Sequence, residues 1–221
     1  FDYIDKYYTP FIPAAKRMNA KIKRDIDPVN NDGITLIPQA MSIVADEVID
    51  LHRQLVPYGY DEINVNLGCP SGTVVSKKRG SGILAYPDML DSFLDKLYTK
   101  ADFPVSIKTR VGFNDDELWP KLIEIYSKYP ISELTVHPRV QKDFYKNTPR
   151  MDDFALAMQK INPDKTILCY NGDITDTNSF NALTDCFPDI DEIMIGRGLF
   201  ANPALIAELK GISMDLSLIH I

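Results

Sequence analysis

Short apolar runs alternate with longer amphipathic stretches along almost the whole chain, and nearly every apolar run ends on a polar residue. Ile34–Gln39, Glu62–Asn66, Pro104–Arg110, Glu133–His137, Thr166–Tyr170 and Glu192–Ile195 read as buried strands, and Tyr7–Ile12 as a strand end. Between them Ser42–Leu55, Pro87–Tyr98, Glu117–Tyr129, Asp152–Ile161 and Asp176–Asp185 have helical spacing, with Asp152 placed to cap its helix. A last helix starts at Asn202 and stops near Gly211, while polar Lys16–Asp32 reads as a loop or a poor helix. Crossovers of this length join parallel strands with right-handed connections. A doubly wound sheet gathers its polar strand ends at one switch point. Here they recur at every strand: Gln39, Asn66 and Cys69, Lys108 and Arg110, His137, Asn171, then Gly196 and Arg197. That recurrence predicts a ring of strands, a (β/α)8 TIM barrel of α/β class, and no GxGxxG follows the first strand to favour a Rossmann fold.

Composition narrows the partners. The 221 residues suffice for one domain, and a net charge of −7 argues against holding nucleic acid by bulk charge alone. Three widely spaced cysteines are an odd number and do not read as a disulfide framework, so a cytoplasmic setting is expected. No apolar run reaches the roughly 18 residues of a membrane span. The first residues, Phe1–Lys6, resemble neither a signal nor a transit peptide and include no initiator Met, so the chain is expected to begin inside a longer protein.

Several residues carry candidate chemistry. Cys69 lies in a polar loop after Asn64 and Asn66 and before Lys77-Lys78-Arg79-Gly80-Ser81-Gly82. On position alone it stays open between a small packed side chain and a reactive or proton-donating thiol. Cys169, in an apolar run, and Cys186, at a helix end, read as structural. Lys108 and Arg110 alternate along one strand and point the same way, toward either a structural carboxylate or an anionic ligand. His137 ends its strand, whereas His52 and His220 read as structural. The stretch Pro138–Arg150 reads as a long basic loop, with Arg139, Lys142, Lys146 and Arg150 interleaved with Phe144 and Tyr145; it suits either plain solvation or phosphate contact and base stacking. Asn171-Gly172-Asp173 and Gly196-Arg197-Gly198 fall in the last two loops of the barrel pattern, where barrels commonly bind phosphate. No residue set reads as a metal site.

The loop Asn64–Pro70 with Val75–Ala85, together with Val105–Gly112, Thr135–Arg139 with Tyr145 and Lys146, Asn171–Asp173 and Ile193–Pro203, resembles the tRNA-dihydrouridine synthase family from about Tyr8 to Gly211. The resemblance implies an FMN-dependent barrel that reduces the C5–C6 double bond of uridines in tRNA, with NADPH or NADH as the reductant. It implies that Cys69 is the general acid that protonates one uracil carbon; a free thiol still carries its proton at neutral pH. It implies that Asn66 lies near the flavin and the target base, and that Gln39, Lys108 and His137 contact the flavin. Asn171, Gly172, Asp173, Gly196 and Arg197 would grip its ribityl phosphate, and Arg110, Arg139 and Tyr145 would line the substrate side.

The family pattern also implies a first barrel strand before Phe1 and a C-terminal helical domain that grips tRNA. The chain is therefore expected to be a partial FMN-binding barrel over residues 1–211, with 212–221 a tail of non-family sequence, and to show weak activity or none by itself. Two alternatives stay open: another FMN barrel acting on a free pyrimidine, of dihydroorotate dehydrogenase type, and a non-catalytic RNA-binding descendant.

Overall fold

A computed structural model describes residues 3–14 and 17–212. Nine strands, β1 Tyr7–Tyr8, β2 Ile12–Pro13, β3 Leu36–Ile37, β4 Gln39–Met41, β5 Ile63–Leu67, β6 Val105–Gly112, β7 Glu133–Val140, β8 Ile167–Tyr170 and β9 Glu192–Ile193, all pair in parallel. β1 and β2 are two halves of one interrupted strand beside β3 and β4, which Pro38 divides for want of an N–H. The remaining strands follow in chain order, β2-β4-β5-β6-β7-β8-β9. Each strand thus lies beside its neighbour in sequence with no reversal, the winding of a TIM-type barrel. No backbone pairing joins the outer strands among the described residues.

Among the described residues nine helices clothe the sheet: α1 Ala20–Ile26, α2 Ala45–Leu55, α3 Gly72–Val75, α4 Pro87–Lys100, α5 Trp119–Tyr126, α6 Met151–Lys160, α7 Thr177–Cys186, α8 Arg197–Ala201 and α9 Leu205–Leu209. The apolar faces of α2 (Val48, Leu51, Leu55) and α4 (Leu90, Leu94, Leu97) are fully buried against the outward residues Ile63, Val65 and Leu67 of β5. No helix among the described residues is long and apolar enough to cross a membrane.

Some expectations need correction. Polar 16–32 does hold a helix, α1, because Asn19 Oδ1 caps it by accepting from Ile22 N at 2.9 Å. The strand begun at Glu133 runs past His137 to Val140, so the basic loop starts later; a bulge between Arg110 and Gly112 lets Gly112 pair with Val140 despite Pro138. Asp152 is not a cap: α6 starts at Met151, and Asp152 and Asp153 occupy its first turn, where the helix dipole favours them. The last helix, α9, starts at Leu205 rather than Asn202, whose Oδ1 accepts from Ala204 N at 3.0 Å, and the short helix α8 precedes it where a glycine loop was expected. Gly211, at φ +67°, ends it as expected. Cys169 is buried but Cys186 is exposed. His52 packs structurally, stacked on Phe103, whereas His220 and the tail from residue 213 onward lie outside the described residues.

The N-terminal end of the barrel is held by charge. Lys6 Nζ donates to Glu133 at 2.7 Å and pairs with Glu192 at 3.0 Å, reaching from the start of the first strand to β7 and β9. Tyr8 OH and Thr135 Oγ1 also donate to Glu133. Burial works against the Lys6 ammonium, but the two carboxylates carry its pKa up; burial likewise opposes the Glu133 carboxylate, and the Lys6 and Thr135 hydrogen bonds carry its pKa down. The two carboxylates and the Cys169 thiol lie within 4.8 Å of one another, and Lys6 supplies the cation they require. Replacing it, Lys6→Met, leaves a buried carboxylate without its partner. The expected cost is roughly 3 kcal/mol at pH 7, read from urea unfolding of both proteins; an unchanged midpoint would refute the bridging role.

Candidate active site

The thiol loop is built by its neighbours. Asn66, the last inward residue of β5, turns its Oδ1 back to accept from Gly68 N at 3.1 Å and Cys69 N at 2.8 Å, which ends the strand in an Asx turn. From the other side Ser81 donates to the Cys69 carbonyl through its backbone N (3.1 Å) and its Oγ (2.9 Å). Gly80, at φ +54°, makes this approach possible: a Cβ there would lie 2.7 Å from the Cys69 carbonyl oxygen. The cations of this glycine loop face elsewhere. Arg79 pairs with Glu47 at 3.2 Å, and Lys78 Nζ stands 4.3 Å over the Tyr86 ring.

Behind Asn66 runs a buried amide chain. Asn66 Nδ2 donates to Gln39 Oε1 (2.6 Å), Gln39 Nε2 to Asn64 Oδ1 (2.9 Å), and Asn64 Nδ2 to Ser106 Oγ (3.1 Å). Gln39 is buried and orients Asn66 rather than lining the open cavity.

The next strands bring cations. Lys108 Nζ donates to Asn171 Oδ1, whose Nδ2 donates to Met194 O at 2.8 Å. Burial pushes Lys108 down to about 8, Arg110 adding to the effect against Cys169 and Glu133. Arg139, 1% exposed, donates to both oxygens of Asp173 and from Nη1 to His137 Nε2 at 3.1 Å. Arg197 Nη2 reaches the same carboxylate at 2.6 Å while its guanidinium lies 4.7 Å from the Tyr145 ring centre. His137 therefore accepts at Nε2 and stays neutral; burial and then Lys108, Arg110, Arg139 and Arg197 push it down to about 2. Asp173 is held low, the two arginines outweighing its burial.

These side chains meet around a cavity of about 310 Å³ at the C-terminal ends of the strands. Of the expected residues, Asn66, Cys69, Lys108, Arg110, His137, Tyr145, Asn171, Gly172, Asp173 and Arg197 line it; Gln39 and Arg139 stand behind it, and Gly196 lies outside. Gly198, rather than Gly196, is the glycine that packing demands in this turn: a Cβ there would meet the Ile174 carbonyl at 2.1 Å, whereas one at Gly196 would meet nothing within 4 Å. Close packing at Gly198 is what draws α8 onto the Asn171–Ile174 turn. Phe11, half-exposed at the rim, went unnoticed, although an aromatic between two prolines at a strand end was the available signal. A second hollow, of about 500 Å³, opens at the opposite ends of the strands around His52, Asp61 and Phe103, away from Cys69.

The model of the family described as "Dihydrouridine synthase (Dus)" matches residues 4–215. The chain belongs to the dihydrouridine synthase family. It is 34% identical over 154 residues to a probable tRNA-dihydrouridine synthase of Staphylococcus aureus, covering 68% of this chain and 46% of that protein. It is 29% identical over 168 residues to tRNA-dihydrouridine synthase B of Pasteurella multocida, covering 76% and 49%. The chain thus spans about half the length of these relatives. Among solved structures, 3-hexulose-6-phosphate synthase from Salmonella typhimurium matches 96% of this chain and 85% of its own at a TM-score of 0.56 with 13% identity, a likeness of fold alone.

The neutral imidazole of this synthase-family barrel sets a pH signature. The folded protein keeps His137 unprotonated where an unfolded chain binds a proton below about pH 6.5, so stability falls as pH drops from there toward about 2. His137→Gln is expected to flatten that fall by up to about 1.4 kcal/mol per pH unit, measured as unfolding free energy from pH 7 to 4.5 against the parent. Parallel curves would show that His137 is protonated in the fold.

Proposed function

We propose that this chain is the catalytic barrel of a flavin-dependent reductase that converts uridine to 5,6-dihydrouridine in tRNA. The observation that carries the reading is the Cys69 thiol lining one cavity with Lys108, His137 and Asn171 in a barrel of this family. The names of the relatives point to tRNA as the substrate.

The donor set fits an anionic planar cofactor such as FMN. Lys108, Arg110 and Arg197 line the cavity against the single carboxylate of Asp173, and the rings of Phe11 and Tyr145 stand at its rim. Lys108, Asn66 and His137 would hold the ring system; Asn171, Gly172 and Arg197 would hold the ribityl phosphate. FMN held there and reduced by NADPH or NADH would supply the hydride. Cys69 Sγ holds the proton for the other carbon of the C5–C6 bond, so one hydride and one proton saturate the ring. Asn66 fixes the loop that carries the thiol. Lys108, which donates to Asn171, would place positive charge beside an electron-rich ring. Tyr145 and Phe11 offer planar faces to a uracil drawn out of its stack.

The test uses the full-length protein with NADPH and unmodified tRNA. Cys69→Ala is expected to keep its flavin absorbance and its tRNA affinity while dihydrouridine formation falls by about 100-fold or more, measured by mass spectrometry of digested tRNA. Normal turnover would refute the acid assignment. Absence of flavin from the parent protein would refute the reading as a whole.

A further inference from the structure

Arg110 is 1% exposed, and its guanidinium donates to three backbone carbonyls, one at the end of β7 and two on the loops around it. Nε reaches Gly68 O at 3.0 Å, Nη1 reaches Val140 O at 2.9 Å, and Nη2 reaches Phe144 O at 2.7 Å. The side chain expected on the substrate side therefore has its three nitrogens committed within the protein. A second, independent bond follows the same path: Gln141 Nε2 donates to Pro70 O at 2.9 Å. Gly68 and Pro70 flank Cys69, so both neighbours of the thiol are tied to the segment Val140–Phe144.

That segment is itself held in a costly shape. Phe144 has φ +52°, a region that bulky residues rarely enter without outside support. Asp143 supplies that support: its carboxylate accepts from Val140 N at 3.1 Å and also from Asn147 and Arg150. Arg110 pulls on the Phe144 carbonyl from below. Tyr145 follows directly, its ring 5.6 Å from the Arg110 guanidinium and 6.2 Å from the His137 ring.

We propose that Arg110 and Gln141 are positioning residues: together they clasp the thiol loop to the Tyr145 loop, fixing the Cys69 Sγ relative to the ring face that Tyr145 offers the target base. The proposal rests on the reading of the site as a tRNA uridine reductase for its activity arm. Its structural arm does not depend on that reading. Both residues spend donors inside the protein: each Arg110 nitrogen donates to a backbone carbonyl, and Gln141 Nε2 donates to Pro70 O. A misplacement of about 1 Å at a reacting group costs up to about 100-fold in rate, so loosening the clasp acts on turnover rather than on capture of RNA.

Gln141 is only half-buried, so Gln141→Leu keeps the fold while removing the bond to Pro70. In the flavin-loaded full-length protein, kcat at saturating tRNA is expected to fall about 10-fold or more, with flavin content and the salt dependence of tRNA binding unchanged. Alkylation of Cys69 by iodoacetamide, followed by mass spectrometry, is expected to quicken several-fold in the same variant. Gln141→Lys, whose ammonium can still reach a carbonyl, restores both, and Arg110→Lys with Gln141→Leu loses less than the product of the single effects. In the free parent protein Arg110 is expected to resist phenylglyoxal while exposed Arg197 reacts. Wild-type alkylation in Gln141→Leu overturns the clasp whatever the reaction. A salt slope lowered by about one would make Gln141 a phosphate contact instead, and phenylglyoxal modification of Arg110 would show that its donors are free. A parent protein that makes no dihydrouridine defeats the functional reading and leaves the alkylation and protection results to judge the clasp.

Discussion

Crowding of positive charge at one end of the barrel governs the rest of the site. Lys108, Arg110, Arg139 and Arg197 all act electrostatically on His137 within a small, largely buried volume. Burying unpaired charge is costly, so each cation needs a partner. The fold answers each in a different way. Arg139 and Arg197 share the carboxylate of Asp173, Arg110 spreads over three carbonyls, and Lys108 rests on a neutral amide with its proton affinity reduced. Lys108 and Arg197 therefore keep donor capacity at the cavity. The imidazole between them stays neutral because a fifth positive charge would have no counterpart.

The opposite end of the same strands shows the reverse problem. There two carboxylates and a thiol converge, and one ammonium from outside the sheet resolves them. One row of paired residues, Asn66, Lys108, Thr135, Cys169 and Glu192, crosses the sheet from the region of the cations to the region of the acids. The parallel register and the tilt it imposes carry both sets of charges, which is why Glu133 bears on Lys108 as well as on Lys6. Where hydrogen bonds do not close the ring, Lys6 links its first and last strands by charge.

The alternation of strands and helices was legible because it depends on nearest neighbours in sequence, and so were the residues at the strand ends. Ten of the expected site residues line one cavity, because the strand ends and the loops that follow them gather at one mouth of a barrel. Roles that depend on distant backbone were not legible. Arg110 looked like a ligand for an anion, since nothing in Pro104–Arg110 reveals that Gly68, Val140 and Phe144 turn their carbonyls toward it. Nor does the sequence around Gln39 show that its amide is held between Asn64 and Asn66. Lys78 and Arg79, beside Cys69 in the chain, turn to other partners, the ring of Tyr86 and the carboxylate of Glu47. Gly198 and Gly80 matter through what their missing Cβ would strike, and that is a fact of three-dimensional approach.

A thiol on a loop is a poor starting point for proton delivery, because loops move and rate depends steeply on placement. In this barrel the loop is short of freedom at every peptide around Cys69. Asn66 holds the amides of Gly68 and Cys69, Ser81 holds the Cys69 carbonyl twice, and Arg110 and Gln141 hold the carbonyls on either side. The Sγ atom is thus the part of the segment left to react, while its backbone is as constrained as a strand. Its restraints come from four directions: β5, the glycine loop, β6 and the stretch after β7. A load on the Tyr145 loop is therefore passed, through the Arg110 and Gln141 bonds, to the peptide bonds that carry the thiol.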